Sequence, residues 1–221
     1  MQKAAPLPPP RLVHSAQTVT GYTRALLAAK LNPPTPGSAQ VPREAVWEQV
    51  GQAANARVVL VRAPAGFGKT TALLQSRERL QARGVSVGWL TLDAADNDPS
   101  RFLACLAQAI DEMTGHGAAG GRGADDDSSH ADPPSALAVV ENLASQAHPF
   151  ALVLDDFECI QEPAVLGLVR QIIDHLPRGG QLLIGSRSLP SLSLGSPMAL
   201  GAAELSNARL SEMLDGELLD E

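Results

Sequence analysis

Val58-Val59-Leu60-Val61-Arg62-Ala63-Pro64-Ala65-Gly66-Phe67-Gly68-Lys69-Thr70-Thr71 is the stretch on which the reading of this chain turns. Four aliphatic residues run into a loop of small residues, the loop ends in Gly-Lys-Thr-Thr, and an amphipathic segment follows. Strand, loop, helix in that order is the grammar of a phosphate-binding loop. Small residues let consecutive backbone N–H groups curl around an anion, and the next helix directs the positive end of its dipole at the same point. On this reading Ala65, Gly66, Phe67, Gly68, Lys69, Thr70 and Thr71 cradle the phosphates. Lys69 reaches the β- and γ-phosphates, and the Thr70 hydroxyl is a Mg²⁺ ligand. The full pattern is G-x-x-x-x-G-K-[ST], and here Ala63 stands in place of its first glycine. Alanine disfavours positive φ, so the exchange requires an ordinary backbone conformation at that position. The bland alternative is a glycine-rich turn with an idle lysine; the strand before it and the helix after it weigh against that.

A second stretch supplies acids. Phe150-Ala151-Leu152-Val153-Leu154-Asp155-Asp156 is a continuous apolar run of strand length, as expected of a strand buried on both faces in a parallel sheet. Its two carboxylates stand at the carboxyl end, where open α/β sheets bind their ligands. Asp155 is the candidate Mg²⁺ ligand and Asp156 the candidate to polarise an attacking water; two strand-terminal aspartates in a turn are the alternative. A further strand, 181–185, runs into Ser186-Arg187. Arg187 is a candidate reader of a γ-phosphate, against the alternative of a plain surface cation.

Around these stretches strands alternate with helices. A strand is expected at 85–92, ending at Asp93. A helix at 99–113 is opened by Asp98-Pro99, an N-cap oxygen followed by proline in the first turn. Its expected buried stripe is Phe102, Leu103, Leu106, Ile110 and Met113. Helices are expected at 135–147 and 163–176, a fifth strand within 198–205, and a short helix at 206–219. Such alternation predicts an α/β fold, a parallel sheet of about five strands sandwiched by helices with right-handed crossovers. Upstream, residues 1–20 read as a disordered proline-bearing tail, 21–55 as lead-in helices and linker, 56–194 as the main domain. Residues 195–221 read as a weakly ordered extension.

Composition narrows the function. The chain has 221 residues, 44% hydrophobic and 3% aromatic, so its core must be aliphatic. A formal charge of −7 argues against a nucleic-acid surface. The two cysteines, Cys105 and Cys159, read as free thiols of a reducing compartment. No stretch approaches the ~20 apolar residues of a membrane span, and the N-terminus shows no signal peptide, so a cytoplasmic protein with no membrane partner is expected. Residues 114–134 are rich in Gly, Ala, Asp and Ser, with His116 and His130 flanking Asp125, Asp126 and Asp127. Their spacing fits no metal site, and a solvated flexible insertion is expected.

Together these stretches resemble one family. Ala63 to Thr71 is similar to the P-loop of the large ATP-binding LuxR-type regulators, the MalT-like branch of the STAND ATPases, where alanine also often replaces the first glycine. Trp89–Asp93 through Asp96-Asn97-Asp98-Pro99-Ser100-Arg101-Phe102 resembles that family's second strand and helix entry. Leu152–Phe157 resembles its Walker B strand, and Leu183–Ser188 its sensor strand. Lys30–Pro34 and Val41-Pro42-Arg43 resemble the lead-in that packs against adenine, which makes Val41 and Arg43 nucleotide-side candidates. A whole strand between P-loop and acids places the chain with the inserted-strand ASCE/STAND type of P-loop NTPase. The resemblance implies ATP or ADP with Mg²⁺ as ligands, slow hydrolysis, and self-association in the ATP state. Family members continue into sensor repeats and a DNA-binding helix-turn-helix that these residues do not contain. The expectation is therefore a switch domain truncated before those parts, with no direct DNA binding. A stand-alone P-loop ATPase or phosphotransferase, and an inactive truncated fragment, are the alternatives.

Overall fold

The computed structural model describes residues 27–35, 56–115 and 134–188, together with the backbone of 202–205. The expected tail 1–20 and most of the lead-in 21–55, Val41 and Arg43 included, lie outside the described residues. So do His116, His130 and the aspartates between them, and the extension past residue 205.

The apolar runs become the strands β1 (Val58–Arg62), β2 (Ser86–Thr91), β3 (Phe150–Asp155), β4 (Gly180–Ser186) and β5 (Ala202–Leu205). They form one sheet in the order β2-β3-β4-β1-β5, and every pairing is parallel. The helices are α1 (Lys69–Ala82), α2 (Pro99–Thr114), α3 (Ala136–Ala144) and α4 (Pro163–His175). All six residues of β3 are buried, which requires cover on both faces.

That cover divides by strand parity, because successive side chains alternate between faces. Val58, Leu60, Leu90, Leu152, Leu154, Leu182 and Ile184 pack with residues of α2, α3 and α4 in the larger core. Val59, Val61, Trp89, Ala151, Val153 and Leu183 pack with Ala72, Leu73 and Leu74 of α1 in the smaller one. Phe102 and Phe157 are among the largest side chains fully enclosed; truncating such a residue to alanine costs about 3–5 kcal/mol.

Local chemistry sets the helix ends. The Asp98 carboxylate accepts the Arg101 N–H at 2.8 Å and proline follows in the first turn of α2, as expected. α3 is shorter than expected at both ends. Ser135 is its N-cap, accepting the Ala138 N–H, and the helix ends at its C-cap Ser145, whose hydroxyl donates back to the Asn142 carbonyl. The buried stripe of α2 also differs. Cys105 and Ala109 are buried beside Phe102, Leu106 and Ile110, while Leu103 and Met113 are only partly buried. Small residues belong there because α2 crosses β2 closely: a Cβ on Gly88 would lie 3.1 Å from the Ala109 carbonyl oxygen.

Candidate functional site

The loop between β1 and α1 opens at the carboxyl edge of the sheet. The Ala63 N–H donates to the Ser186 carbonyl at 3.3 Å, tying the loop to β4. Ala63 is buried, and Asp156 is the one non-glycine with positive φ among the described residues. Alanine in the first glycine's place thus keeps an ordinary conformation. Gly66 and Gly68 do not: their φ values are 84° and 73°, a region that favours glycine. Pro64 to Phe67 are exposed. Gly68 is the N-cap of α1 and offers no side-chain cap, and the first turn holds no acid. The helix's first N–H groups therefore have no side-chain acceptor of their own, the condition under which a helix N-terminus receives an anion.

Lys69 and Thr70 begin α1 and point across the sheet edge. β1 and β3 flank β4, so at ~4.8 Å per strand they stand ~10 Å apart. The Lys69 side chain spans the gap. Its Nζ lies 2.8 Å from Asp155 Oδ1 and 2.7 Å from Asp156 Oδ1. The Thr70 hydroxyl donates to Asp155 Oδ2 at 2.7 Å. Lys69 and Asp155 are both buried. Burial by itself would depress the Lys69 ammonium, but hydrogen bonds and charge attraction from Asp155 and Asp156 outweigh it, holding its pKa above the ordinary 10.5. Asp156 sits just beyond β3 at φ 55°, ψ 38°, a left-handed conformation that aspartate tolerates better than most residues. Its N–H donates to Asp155 Oδ1 at 2.9 Å. Thr71 follows in the same first turn of α1, half-buried.

Gly185 makes the meeting possible, and the sequence reading assigned it no role. A Cβ there would lie 2.7 Å from Asp155 Oδ1 and 2.6 Å from Leu73 Cδ1, with Lys69 Cδ at 3.4 Å. Any larger residue at this point of β4 would occupy the space the lysine and the carboxylate share.

Arg187, the candidate sensor, leaves β4 two residues later. It does not join the Lys69 cluster. Its Nε lies 2.7 Å from Glu158 Oε1 and its N–H donates to Glu158 Oε2 at 3.1 Å. The turn that carries Glu158 is held by Asn97. Asn97 Nδ2 donates to the Cys159 carbonyl, and its Oδ1 accepts the N–H groups of Gln161 and Glu162, each at 2.8 Å. Asn97 itself lies in a 3-10 turn, Ala94–Asn97, closed by a reciprocal cap between Asp93 and Asp96. Buried Lys30, from the helical segment 27–31, bonds to fully buried Asp96 and, at 3.1 Å, to Asp93. Burial raises the Asp93 carboxyl, but Lys30, the Ala95 N–H and Arg101 more than reverse this and hold it below the ordinary 3.8. The D-x-x-D spacing of Asp93 and Asp96 was the signal that could have revealed this turn.

Chemically, the site offers main-chain donors and one ammonium for an anion. Beside them stand a hydroxyl and a carboxylate, the oxygen set that suits a hard divalent cation.

Comparison with known proteins agrees with this geometry. The chain is 33% identical over 172 residues to the HTH-type transcriptional regulator MalT of Klebsiella pneumoniae subsp. pneumoniae, and likewise to that of Cronobacter sakazakii. The chain is thus related to the MalT regulators. Each match takes in 77% of this chain and 19% of the MalT sequence, so the chain spans about a fifth of the length of these curated relatives. No family model matches. Among solved structures, the Aeropyrum pernix Orc1 protein in complex with DNA superposes with a TM-score of 0.50 at 19% identity. That match covers 83% of this chain and 51% of Orc1. The parallel α/β fold of P-loop NTPase type expected from the sequence is therefore the fold of this chain. Among the described residues, no helix is long and apolar enough to cross a membrane.

Proposed function

We propose that this chain is the ATP-binding switch domain, residues 56–194, of a MalT-like transcriptional regulator. One observation carries the reading: Lys69 and Thr70, from the mouth of a loop with two left-handed glycines, converge on the Asp155–Asp156 pair across a strand that lacks a side chain at Gly185. A cradle of N–H groups, a buried ammonium and a hydroxyl–carboxylate pair fit a nucleotide triphosphate with Mg²⁺.

Ala65 to Thr71 hold the phosphates in this reading, with Lys69 carrying the charge. Thr70 and Asp155 hold Mg²⁺, which when bound offsets charge on the phosphate oxygens. Asp156 orients the attacking water, Arg187 reads the γ-phosphate, and Val41 and Arg43 face adenine. Hydrolysis is slow; the ATP state favours self-association and the ADP state a resting form. The formal charge of −7 fits a chain that does not itself bind DNA. Its similarity to transcriptional regulators supports a cytoplasmic location.

Calorimetric titration with Mg-ATP tests the core of this. The unaltered chain is expected to bind, and Lys69→Ala to show no measurable binding while keeping a cooperative melt. Equal affinity in the two chains would remove the site assignment.

A further inference from the structure

Glu158 has no part in the chemistry above, yet its geometry is specific. It lies in the 3-10 turn Phe157–Cys159, with a side chain 16% exposed. Both of its oxygens face one residue. Oε2 accepts the Arg187 N–H at 3.1 Å and Oε1 lies 2.7 Å from Arg187 Nε. Oε1 is buried without an aligned hydrogen bond, so its attraction to the guanidinium is one of charge at close range. The guanidinium side is open, with the Arg187 side chain 57% exposed. The main-chain contact fixes where the carboxylate sits; the side-chain contact decides where the guanidinium points. The turn cannot follow the arginine freely, because Asn97 holds it at Cys159, Gln161 and Glu162.

Arg187 directly follows Ser186, whose carbonyl is bonded to Ala63 at the start of the phosphate loop. It emerges on the strand that separates Lys69 from the acids. An arginine at that point can serve either an anion in the cradle or the carboxylate of Glu158.

We propose that Glu158 is a positioning residue that parks Arg187, so that the guanidinium exchanges a carboxylate for a γ-phosphate when a triphosphate binds. The proposal rests on the nucleotide reading above. Breaking the Glu158–Arg187 pair opposes triphosphate binding and leaves diphosphate binding untouched. The pair therefore sets how strongly the chain prefers one nucleotide state over the other.

The test is calorimetry with Mg-ADP and with a non-hydrolysable Mg-ATP analogue on four chains: unaltered, Glu158→Gln, Arg187→Ala and the double variant. Glutamine keeps an oxygen for the Arg187 N–H and removes the charge; a melt without nucleotide confirms that each chain folds. Glu158→Gln is expected to bind the triphosphate roughly two- to fivefold tighter, the range of a partly exposed ion pair, with diphosphate affinity unchanged. Arg187→Ala is expected to bind the triphosphate more weakly, and the Glu158 effect is expected to vanish in the double variant. If Glu158→Gln leaves triphosphate affinity unchanged, or tightens both nucleotides alike, while Arg187→Ala still weakens the triphosphate, parking is overturned and the sensor role survives. If the unaltered chain binds neither nucleotide, the reading beneath the proposal is overturned with it.

Discussion

Two loops meet at Lys69, and they are built by opposite means. The loop from Ala63 to Gly68 is local: exposed small residues, two left-handed glycines and a helix start without a side-chain cap. The loop from Asp156 to Glu162 is held from a distance. Lys69 grips Asp156, Arg187 grips Glu158, and Asn97 makes three bonds to the backbone of 159–162. In the proposed roles, an anion cradle is left without side-chain caps, whereas acids that position a cation or a water must not drift. The first loop therefore tolerates change up to the limits of its own backbone, while the second depends on residues elsewhere in the chain.

The largest expected effect falls at the junction between them. Gly185→Val puts a branched side chain where Leu73 and Asp155 already lie, 2.6 and 2.7 Å from a Cβ. Such overpacking costs about 3 kcal/mol, and nucleotide binding is expected to vanish in calorimetry. A chain that still bound Mg-ATP normally would show that Lys69 and Asp155 need not share that space.

Asn97→Ala probes the borrowed loop. Three hydrogen bonds to the backbone of 159–162 and one to the Ala94 carbonyl go, at an expected ~2 kcal/mol in a urea melt, since the freed groups are partly reached by water. Phosphate release is expected to fall more than Mg-ATP affinity, because the acids drift while the cradle stands. Equal losses in both would mean that the two loops are not separable.

Gly66→Ala probes the local loop. Nothing lies within 4 Å of a Cβ there, yet φ is 84°, so the cost is backbone strain alone, about 1 kcal/mol. Stability in urea is expected to fall by that much, with affinity the more affected readout. A loss of several kcal/mol would reveal packing in a loop that looks bare.

The smallest effect is in pH dependence. The Asp93 carboxyl is held below 3.8 in the folded chain. Its contribution to stability is present above that value and is lost as pH falls through the lowered pKa. The Lys69 ammonium is held above 10.5, so its contribution is present below that value and is lost as pH rises through the raised pKa. Urea melts across pH are expected to show a shallower fall below pH 3.8 in Lys30→Met than in the unaltered chain. An unchanged acid limb would show that Lys30 does not anchor the turn that carries Asn97.

Much of this was legible in the residues. Gly-Lys-Thr-Thr after four aliphatics marks the strand–loop–helix turn and the proposed cradle because its chemistry is contiguous. The apolar run ending in Asp155-Asp156 marks the acids because a strand buried on both faces cannot alternate with polar residues. Asp98-Pro99 marks the start of α2 because a cap acts within one turn. What escaped notice lies far apart in sequence: Glu158 and Arg187, 29 residues apart; Lys30 and Asp96, 66 apart; and Gly185, whose importance comes from atoms on two other elements.

By itself the sequence determined that this chain alternates strands with helices, that a small-residue loop ending in Gly-Lys-Thr follows the first strand, and that two acids end another. These follow from periodicity, backbone freedom and capping, which act over a few residues. Only the tertiary structure decided that β4 stands between them, that its glycine lets the ammonium reach the acids, and that Arg187 rests on Glu158. The order of strands in a sheet is set by which faces and edges are left to pair once the chain has crossed over, and no short window of sequence contains that information.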